Sequence, residues 1–503
     1  MTAAMVLIPL IAAALVWRAP RRAAGALALL ATSGTFVLAL FLSSASALDL
    51  AWLPAAGIGF RLDPAGVASV LVLAASLAMI PTVLAAATQV ARSTGAFLAL
   101  LLAMQAGLNG LFLSSDLVLT YVFWEATLFF SVFLLGGWGR EGRRGAVTKY
   151  LIYAVAGSFL MLVSILALRP LSGAESYAFA DLLPATRALD VVTQAWLFAG
   201  FAAAFAVKLP MFPLHSWLID FHDQNHPSGA ADVAGTLYKV GGFGFFAWAI
   251  PLLPLGAQAF QPWMLALTSV TALWAALAAT QQTDLKRLLA YASLSHMGLV
   301  GVGLFSLHPA GMTGAMALLV AQMFSTGGLF LLSGMLYARR GSFALDRFGG
   351  LARSAPALAA VTLLALFASI GVPGLSNFPG EFMSLLGAFQ THVAAAVLAT
   401  LAVIAAGAYG VNLYQRLYQG RQREATHDLR GLEVAVLAPL VAGILWMGIA
   451  PAPQIARTHQ DTRVALQMDA DDEEAAAPAA GWTIPVEDEE EPPGLAEVPG
   501  GAP

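Results

Sequence analysis

Apolar residues in this chain neither alternate nor return to one face of a helix. They run in long stretches, and short polar clusters carrying most of the charges separate one stretch from the next. Each stretch comes near the roughly 20 residues that an α-helix needs to cross a bilayer. About fourteen can be marked, at 3–17, 23–43, 64–88, 95–113, 115–138, 146–168, 193–220, 229–252, 261–281, 287–306, 312–338, 356–388, 394–416 and 432–452. A helix that is apolar all round is covered either by a large core or by lipid. With 59% hydrophobic and 11% charged residues over 503 positions, a soluble reading needs a larger core than single domains build. The pattern predicts an all-α polytopic membrane protein of about fourteen transmembrane helices. The first stretch is short enough to be mistaken for a signal peptide. No small-residue cleavage site leading into a soluble chain follows it, so it counts as a span.

Two stretches carry residues that stop a helix. In "KLPMFPLHSWLIDFH", Pro210 and Pro213 remove two backbone donors and collide with carbonyls one turn back, so the seventh span cannot be one continuous α-helix. In "ASIGVPGLSNFPGEFMSLLGAF", Pro373, Gly374, Pro379 and Gly380 precede Glu381 and break the twelfth. Irregular backbone at membrane depth is tolerated only beside protein or a hydrated cavity. Two interrupted spans five helices apart mark an inverted-repeat transporter. A match of residues 149–154 with 287–292 would pair helix six with helix ten, against that register, and is set aside.

The charges test the helix count. If the spans alternate, loops after odd-numbered helices hold 18 of the 25 Lys and Arg residues, and the opposite loops hold only Arg61, Arg169, Arg187, Arg457 and Arg463. The basic side faces the cytoplasm, which puts both termini outside. Residues 464–503 hold eleven acidic and no basic side chains in a Pro, Gly and Ala background, and predict a disordered acidic tail.

Four ionisable residues fall inside spans: Glu125, Lys208, Lys239 and Glu381. A charge at such depth is costly and points to function. The chain has 21 arginines and only four lysines, yet the two buried bases are both lysine. Arginine keeps its proton, whereas a desolvated lysine can lose it and recharge. That favours proton carriers over the plainer alternative, static ion pairs that hold helices together. The other two lysines, Lys149 and Lys286, fall in basic cytoplasmic loops, where positive charge alone suffices. Glu125, in "YVFWEATLFF", needs a counter-ion from another helix, and Lys208 is the candidate.

The histidines divide. His215 follows Lys208 by seven residues, on one face if the helix were unbroken. His296, in the tenth span, is either a satisfied core histidine or a proton relay between the halves. His222 and His226 have the spacing of a metal pair, but "HDQNH" reads as a loop at the cytoplasmic entrance and lacks a fixed third ligand. Without cysteine the chain can hold no disulfide and no cysteine-ligated iron–sulfur cluster, so any redox centre belongs to a partner. Its glycines form no nucleotide loop. Lipid and protons, not nucleic acid, are the expected partners.

Five ordered motifs, "YVFWEATLFF", "KLPMFPLHSWLIDFH", "GTLYKVGGFGFF", "QTDLKRLLAYASLSHMG" and "FPGEF", resemble the antiporter-like membrane subunits of respiratory complex I, the bacterial NADH-quinone oxidoreductase, over residues 60–452. The resemblance implies fourteen helices with two inverted five-helix repeats, helices 4–8 and 9–13. The expected division is 1–92 for helices 1–3, 93–252 and 253–418 for the repeats, 419–463 for helix 14 and its flank, and 464–503 for the tail. It implies proton translocation through Glu125, Lys208, Lys239 and Glu381 in a bacterial inner membrane, beside neighbouring antiporter-like subunits. Cofactors would be absent from this chain; NADH, flavin, iron–sulfur clusters and quinone would sit in partners. A glutamate at 381 and the lack of a long lateral helix favour the subunit M branch. Gln322 departs from the pattern, because many relatives carry a histidine there. An Mrp-type sodium/proton antiporter subunit and a non-pumping scaffold remain as alternatives.

Overall fold

The computed structural model describes residues 1–237 and 240–468. In chain order they form α1 (Ala4–Val16), α2 (Arg21–Ala39), a hairpin of β1 (Leu48–Leu53) and β2 (Ile58–Leu62), α3 (Gly66–Gln89), α4 (Thr94–Leu113), α5 (Leu117–Trp138), α6 (Arg143–Ser172), α7 (Phe179–Arg187), α8 (Val191–Lys208) and α9 (Ser216–Gln224). There follow α10 (Ala230–Leu237), α11 (Val240–Gly244), a π-helical turn (Phe245–Ala249), α12 (Ile250–Leu252), α13 (Pro254–Thr280), α14 (Leu285–Phe305) and α15 (Pro309–Arg340). The series ends with α16 (Pro356–Ser369), α17 (Asn377–Thr391), α18 (Val393–Tyr418), α19 (Gly431–Ile449) and α20 (Ala452–Leu466). Among the described residues, 12 helices are long and apolar enough to cross a membrane, the run from α10 to α12 counting as one. α1 and α16 are shorter apolar helices.

Burial sorts these helices. α4, α14 and α15 are enclosed almost all round by other helices, while α6, α18 and α19 are at least as apolar but, with the less apolar α2, turn much of their surface outward. Leu30, Phe159, Ile404 and Ile449 project from that outer surface. Water would not tolerate such a surface, so its solvent is lipid.

Both expected breaks are present, and both are held by specific hydrogen bonds. α8 stops at Lys208, and the next helical residue is Ser216. The carbonyl of Ala206 accepts from Met211 N at 2.9 Å, replacing the donor that Pro210 lacks. The carbonyl of Val207 accepts from Trp217 Nε1 at 3.0 Å, and Phe212 N donates to Thr271 Oγ1 on α13 at 2.8 Å. Between α16 and α17 the organiser is Asn377. Its Oδ1 accepts from Ser325 at 2.9 Å and Ser376 at 3.2 Å, and its Nδ2 donates to the Ser369 carbonyl at 3.2 Å.

Two helix pairs begin and end alike. Asp116 and Asp284 cap α5 and α14 by accepting from the second and third N–H groups. Each sits in a short antiparallel bridge, to Ala178 after α6 and to Ala344 after α15. Gly173 and Gly341, both left-handed, close α6 and α15.

Several features depart from the sequence reading. The β-hairpin, α7 and α20 lie in segments read as loops, flank or tail, and the short hairpin is an addition to an otherwise all-α membrane fold. The tail does not start at 464: Val464 O accepts from Arg187 at 2.6 Å and Ala465 is buried, while residues 469–503 fall outside the described set. Lys286 is not in a loop. It occupies the first turn of α14 with no exposed surface, because packing of α14 against α9 and α15 covers it. His222 belongs to α9 and is buried.

Candidate functional site

Three groups of buried ionisable side chains lie within the bundle. The first surrounds Lys208, whose position at the end of α8 follows from the proline break behind it. Its Nζ donates to the Tyr150 hydroxyl at 2.9 Å and lies 5.1 Å from the Tyr150 ring centre and 5.7 Å from that of Trp124. Tyr150 also shares a 3.1 Å contact with Ser131, and its ring stacks on Trp217 at 4.6 Å. Glu125 acts on the Lys208 ammonium through space, and the Tyr121 hydroxyl one turn earlier lies within its electrostatic reach. The expected pairing of Glu125 with Lys208 is thus an electrostatic one, set among aromatic rings. Gly241 of α11 packs on the backbone at Lys208, where a Cβ would collide with Leu209 N and Phe205 O.

The second group was not singled out from the sequence. Asp232 on α10 has no exposed surface and serves three partners: His222 Nδ1 at 3.0 Å, Asn225 Nδ2 at 3.2 Å and Lys286 Nζ at 2.9 Å. Lys286 Nζ also donates to the carbonyls of Asn225 at 2.9 Å and His226 at 3.3 Å. The His222 ring stacks on Phe330 of α15 at 4.5 Å. In the adjoining turn, burial and then the Lys286 charge push the His226 imidazole down to about 4, so it stays neutral. Two bases converge on one carboxylate, where the sequence reading had a polar loop.

The third group joins His296 of α14 to Glu381 of α17. His296 Nε2 and Glu381 Oε1 are 3.4 Å apart, and both residues are buried. His296 Nδ1 faces the Ala292 carbonyl at 2.9 Å, so that nitrogen carries a hydrogen. That leaves Nε2 facing the Glu381 carboxylate. Gly371, at φ +71°, leaves the space that Glu381 Oε2 fills. The buried Tyr409 hydroxyl, without a hydrogen-bond partner among the described residues, lies within electrostatic reach of Glu381.

His215 is buried in the α8–α9 break. It stacks on Phe212 at 5.6 Å and meets Trp274 at 4.7 Å, and its Nδ1 makes no hydrogen bond. Lys149 pairs with Asp220 at 2.8 Å, both partly exposed, as its position in a basic region implies. Lys239 lies outside the described residues. Gln322 is fully buried in α15. Among the described residues no group of three His, Cys, Asp or Glu side chains could hold a metal ion.

The family model described as NADH:quinone oxidoreductase/Mrp antiporter, TM matches residues 114–406, a span that holds all three buried groups. The chain belongs to this family. Within it, the chain is 42% identical to NADH-quinone oxidoreductase subunit 13 of Thermus thermophilus, covering 89% of this chain and 94% of that protein. It is 33% identical to subunit M of Escherichia coli, over 82% and 84% of the two chains. A solved chain from respiratory complex I of Thermus thermophilus with bound NADH superposes with a TM-score of 0.89 at 40% identity, covering 93% of this chain and 99% of that one. A chain of the Mrp complex from Dietzia sp. DQ12-45-1b superposes with a TM-score of 0.82 at 22% identity, covering 92% of this chain and 52% of that one, a likeness of fold alone. The antiporter-like subunit family, in its subunit M branch, is therefore where the five motifs lead.

Proposed function

We propose that this chain is a proton-translocating membrane subunit of an NADH-quinone oxidoreductase. The observation that carries the proposal is the series of buried titratable groups, Glu125 with Lys208 and Tyr150, then His222, Asp232 and Lys286, then His296 with Glu381, inside a bundle whose outer surface suits lipid. Buried charges of this kind are expensive, and a merely structural bundle has no need of them. NADH, flavin, iron–sulfur clusters and quinone belong to partner subunits in this reading, and the assembly includes neighbouring antiporter-like subunits. The matched caps and bridges of α5–α6 and α14–α15 support two repeats in the expected register. The loops after odd-numbered spans face the cytoplasm, and both termini lie outside.

Mechanistically, a charge shift arriving from a neighbour moves Glu125 relative to Lys208 and changes the affinity of that amine for its proton. Tyr150 holds the ammonium in place by accepting its hydrogen bond. The proton passes on towards Lys239 and then to the His296–Glu381 pair, whose facing atoms lie 3.4 Å apart. The test is proton translocation per NADH oxidised by the assembled complex in vesicles. Lys208→Arg keeps the charge but cannot release the proton, so translocation should fall by about tenfold or more. Full translocation by that variant would leave a static ion pair as the better account. Sodium counter-transport that survives without NADH-oxidising partners would favour the Mrp-type reading.

A further inference from the structure

We propose that the groove between α16 and α18 binds an anionic phospholipid from the leaflet on the side of the basic loops, with an acyl chain along the groove and the phosphate among Arg347, Arg353 and Arg421. In the orientation proposed above that is the cytoplasmic leaflet; the site itself does not rest on proton transfer through this chain. Three observations carry it. The first is shape. A cavity of about 250 Å³ runs along the two helices, walled by Leu363 and Phe367 of α16 and by Gly410 and Val411 of α18, and Phe367 and Val411 are among the apolar side chains that face outward. From Gly410 to Gln419 the chain rises about 14 Å at roughly 1.5 Å per helical residue. That is close to the roughly 15 Å of hydrocarbon in one leaflet.

The second observation is the polar end of the groove. Tyr414, Gln415 and Gln419 line the same cavity where α18 finishes. Their hydroxyl and side-chain amides make no hydrogen bond among the described residues, and both glutamines are exposed. Set against hydrocarbon alone such groups are costly. The ester and phosphate oxygens of a lipid accept from all three. The third observation is charge. Gly350 N donates to the Gln419 carbonyl at 2.8 Å and Arg423 N to the Gly349 carbonyl at 3.3 Å, which joins the loop after α15 to the loop after α18 at this end of the groove. Residues 347–353 and 416–423 carry five arginines and no acidic residue. Arg416 is held by the Gln282 carbonyl and Arg423 by that of Asp346, whereas the exposed guanidinium groups of Arg347, Arg353 and Arg421 make no hydrogen bond or ion pair among the described residues. Of the acidic side chains close by, Glu424 pairs with Arg340 and Asp428 accepts from Ala357 N and Leu358 N at 2.9 Å, which leaves Asp346. An apolar helix from a neighbour would cover the wall and strand the amides and arginines. An anionic lipid matches wall, amides and guanidinium groups together.

The test uses the whole complex in phosphatidylcholine vesicles that contain a trace of either phosphatidylglycerol or phosphatidylcholine bearing a photoreactive group on one acyl chain. After irradiation, the lipid attached to peptides of α16 and α18 is measured. In the parental complex the phosphatidylglycerol probe should label residues 363–367 and 410–419 about tenfold more than the phosphatidylcholine probe. Arg353→Gln with Arg421→Gln should remove most of that preference, since each basic side chain near a membrane surface contributes about fivefold to holding an anionic lipid. Labelling by phosphatidylcholine should stay as it was. Val411→Trp fills the groove from its outward side and should lower labelling by both probes. Equal labelling of the parent by the two probes overturns the proposal, and that comparison needs no variant to assemble. A preference for phosphatidylglycerol that survives the double change overturns it as well, by placing the anionic site elsewhere. Absence of label from either probe would show that a neighbouring subunit covers the groove, and the proposal would fall with it. None of these outcomes bears on Lys208→Arg, so the proton-carrier reading is tested separately.

Discussion

Lys149 and Lys286 differ in what surrounds them, and that decides what each substitution should do. Lys149 meets Asp220 at a partly exposed site, where an arginine can make the same pair. Lys149→Arg should translocate protons like the parent. Lys286 was expected to behave likewise, but its ammonium is enclosed by Asp232 and two carbonyls with no exposed surface. A guanidinium is wider than an ammonium and needs a planar fork of acceptors. Lys286→Arg should lower the yield of assembled complex, measured as subunit content after purification, whereas Lys149→Arg should not. Equal yields would mean that the pocket at Lys286 adapts. At the other end of the bundle, His296 Nε2 faces the Glu381 carboxylate at 3.4 Å, so on the proposed relay neither serves without the other. His296→Gln and Glu381→Gln should each cut translocation by about tenfold or more, and the double variant should be no worse than either. Additive losses would place the two residues on separate routes.

At the scale of elements, the sequence reveals what the backbone itself forbids. Two prolines end α8, and a Pro/Gly cluster separates α16 from α17, because missing donors and ring clashes act whatever the surroundings. Apolar runs locate the long helices for the same reason: they depend on composition along one segment. What the sequence conceals is what depends on packing between segments. Tyr150 is an ordinary aromatic in α6 until the fold sets its hydroxyl on Lys208. Asp232 stands among small residues ten positions from His222, and nothing in that spacing says that α10 folds back onto α9. Lys286, two residues after a helix cap, looks exposed until α9 and α15 cover it. Asn377 is another such residue, holding both sides of the second break. Asn377→Ala strands a buried carbonyl and a serine hydroxyl, at a cost of about 1–3 kcal/mol for each unsatisfied group. The thermal midpoint of the purified complex should fall. An unchanged midpoint would show that water or a shifted side chain replaces the amide.

At the scale of the whole molecule, orientation and length are open to direct measurement. α20 caps the start of α3, with Asp461 accepting from Val67 N at 2.6 Å, and the α20 end is held by Arg187. A stop after Arg463 would cut into that contact, so the informative truncation is after Met468. Complex lacking residues 469–503 should assemble and translocate as the parent does, since an acidic, Pro-rich segment has little to bury. Loss of assembly would make the tail a docking element. Orientation can be read cleanly because the natural chain has no cysteine to remove. Glu141 and Glu175 are both exposed, in the loops before and after α6, and α6 is long enough to cross a bilayer. In the proposed orientation, drawn from the 18-to-5 split of basic residues, the Glu141 loop faces the cytoplasm and the Glu175 loop the outside. In intact cells with an opened outer barrier, a membrane-impermeant maleimide should label Glu175→Cys and spare Glu141→Cys, and in inside-out vesicles the preference should reverse. Labelling of both from one side would show that α6 does not cross. The reversed pattern would turn the molecule over.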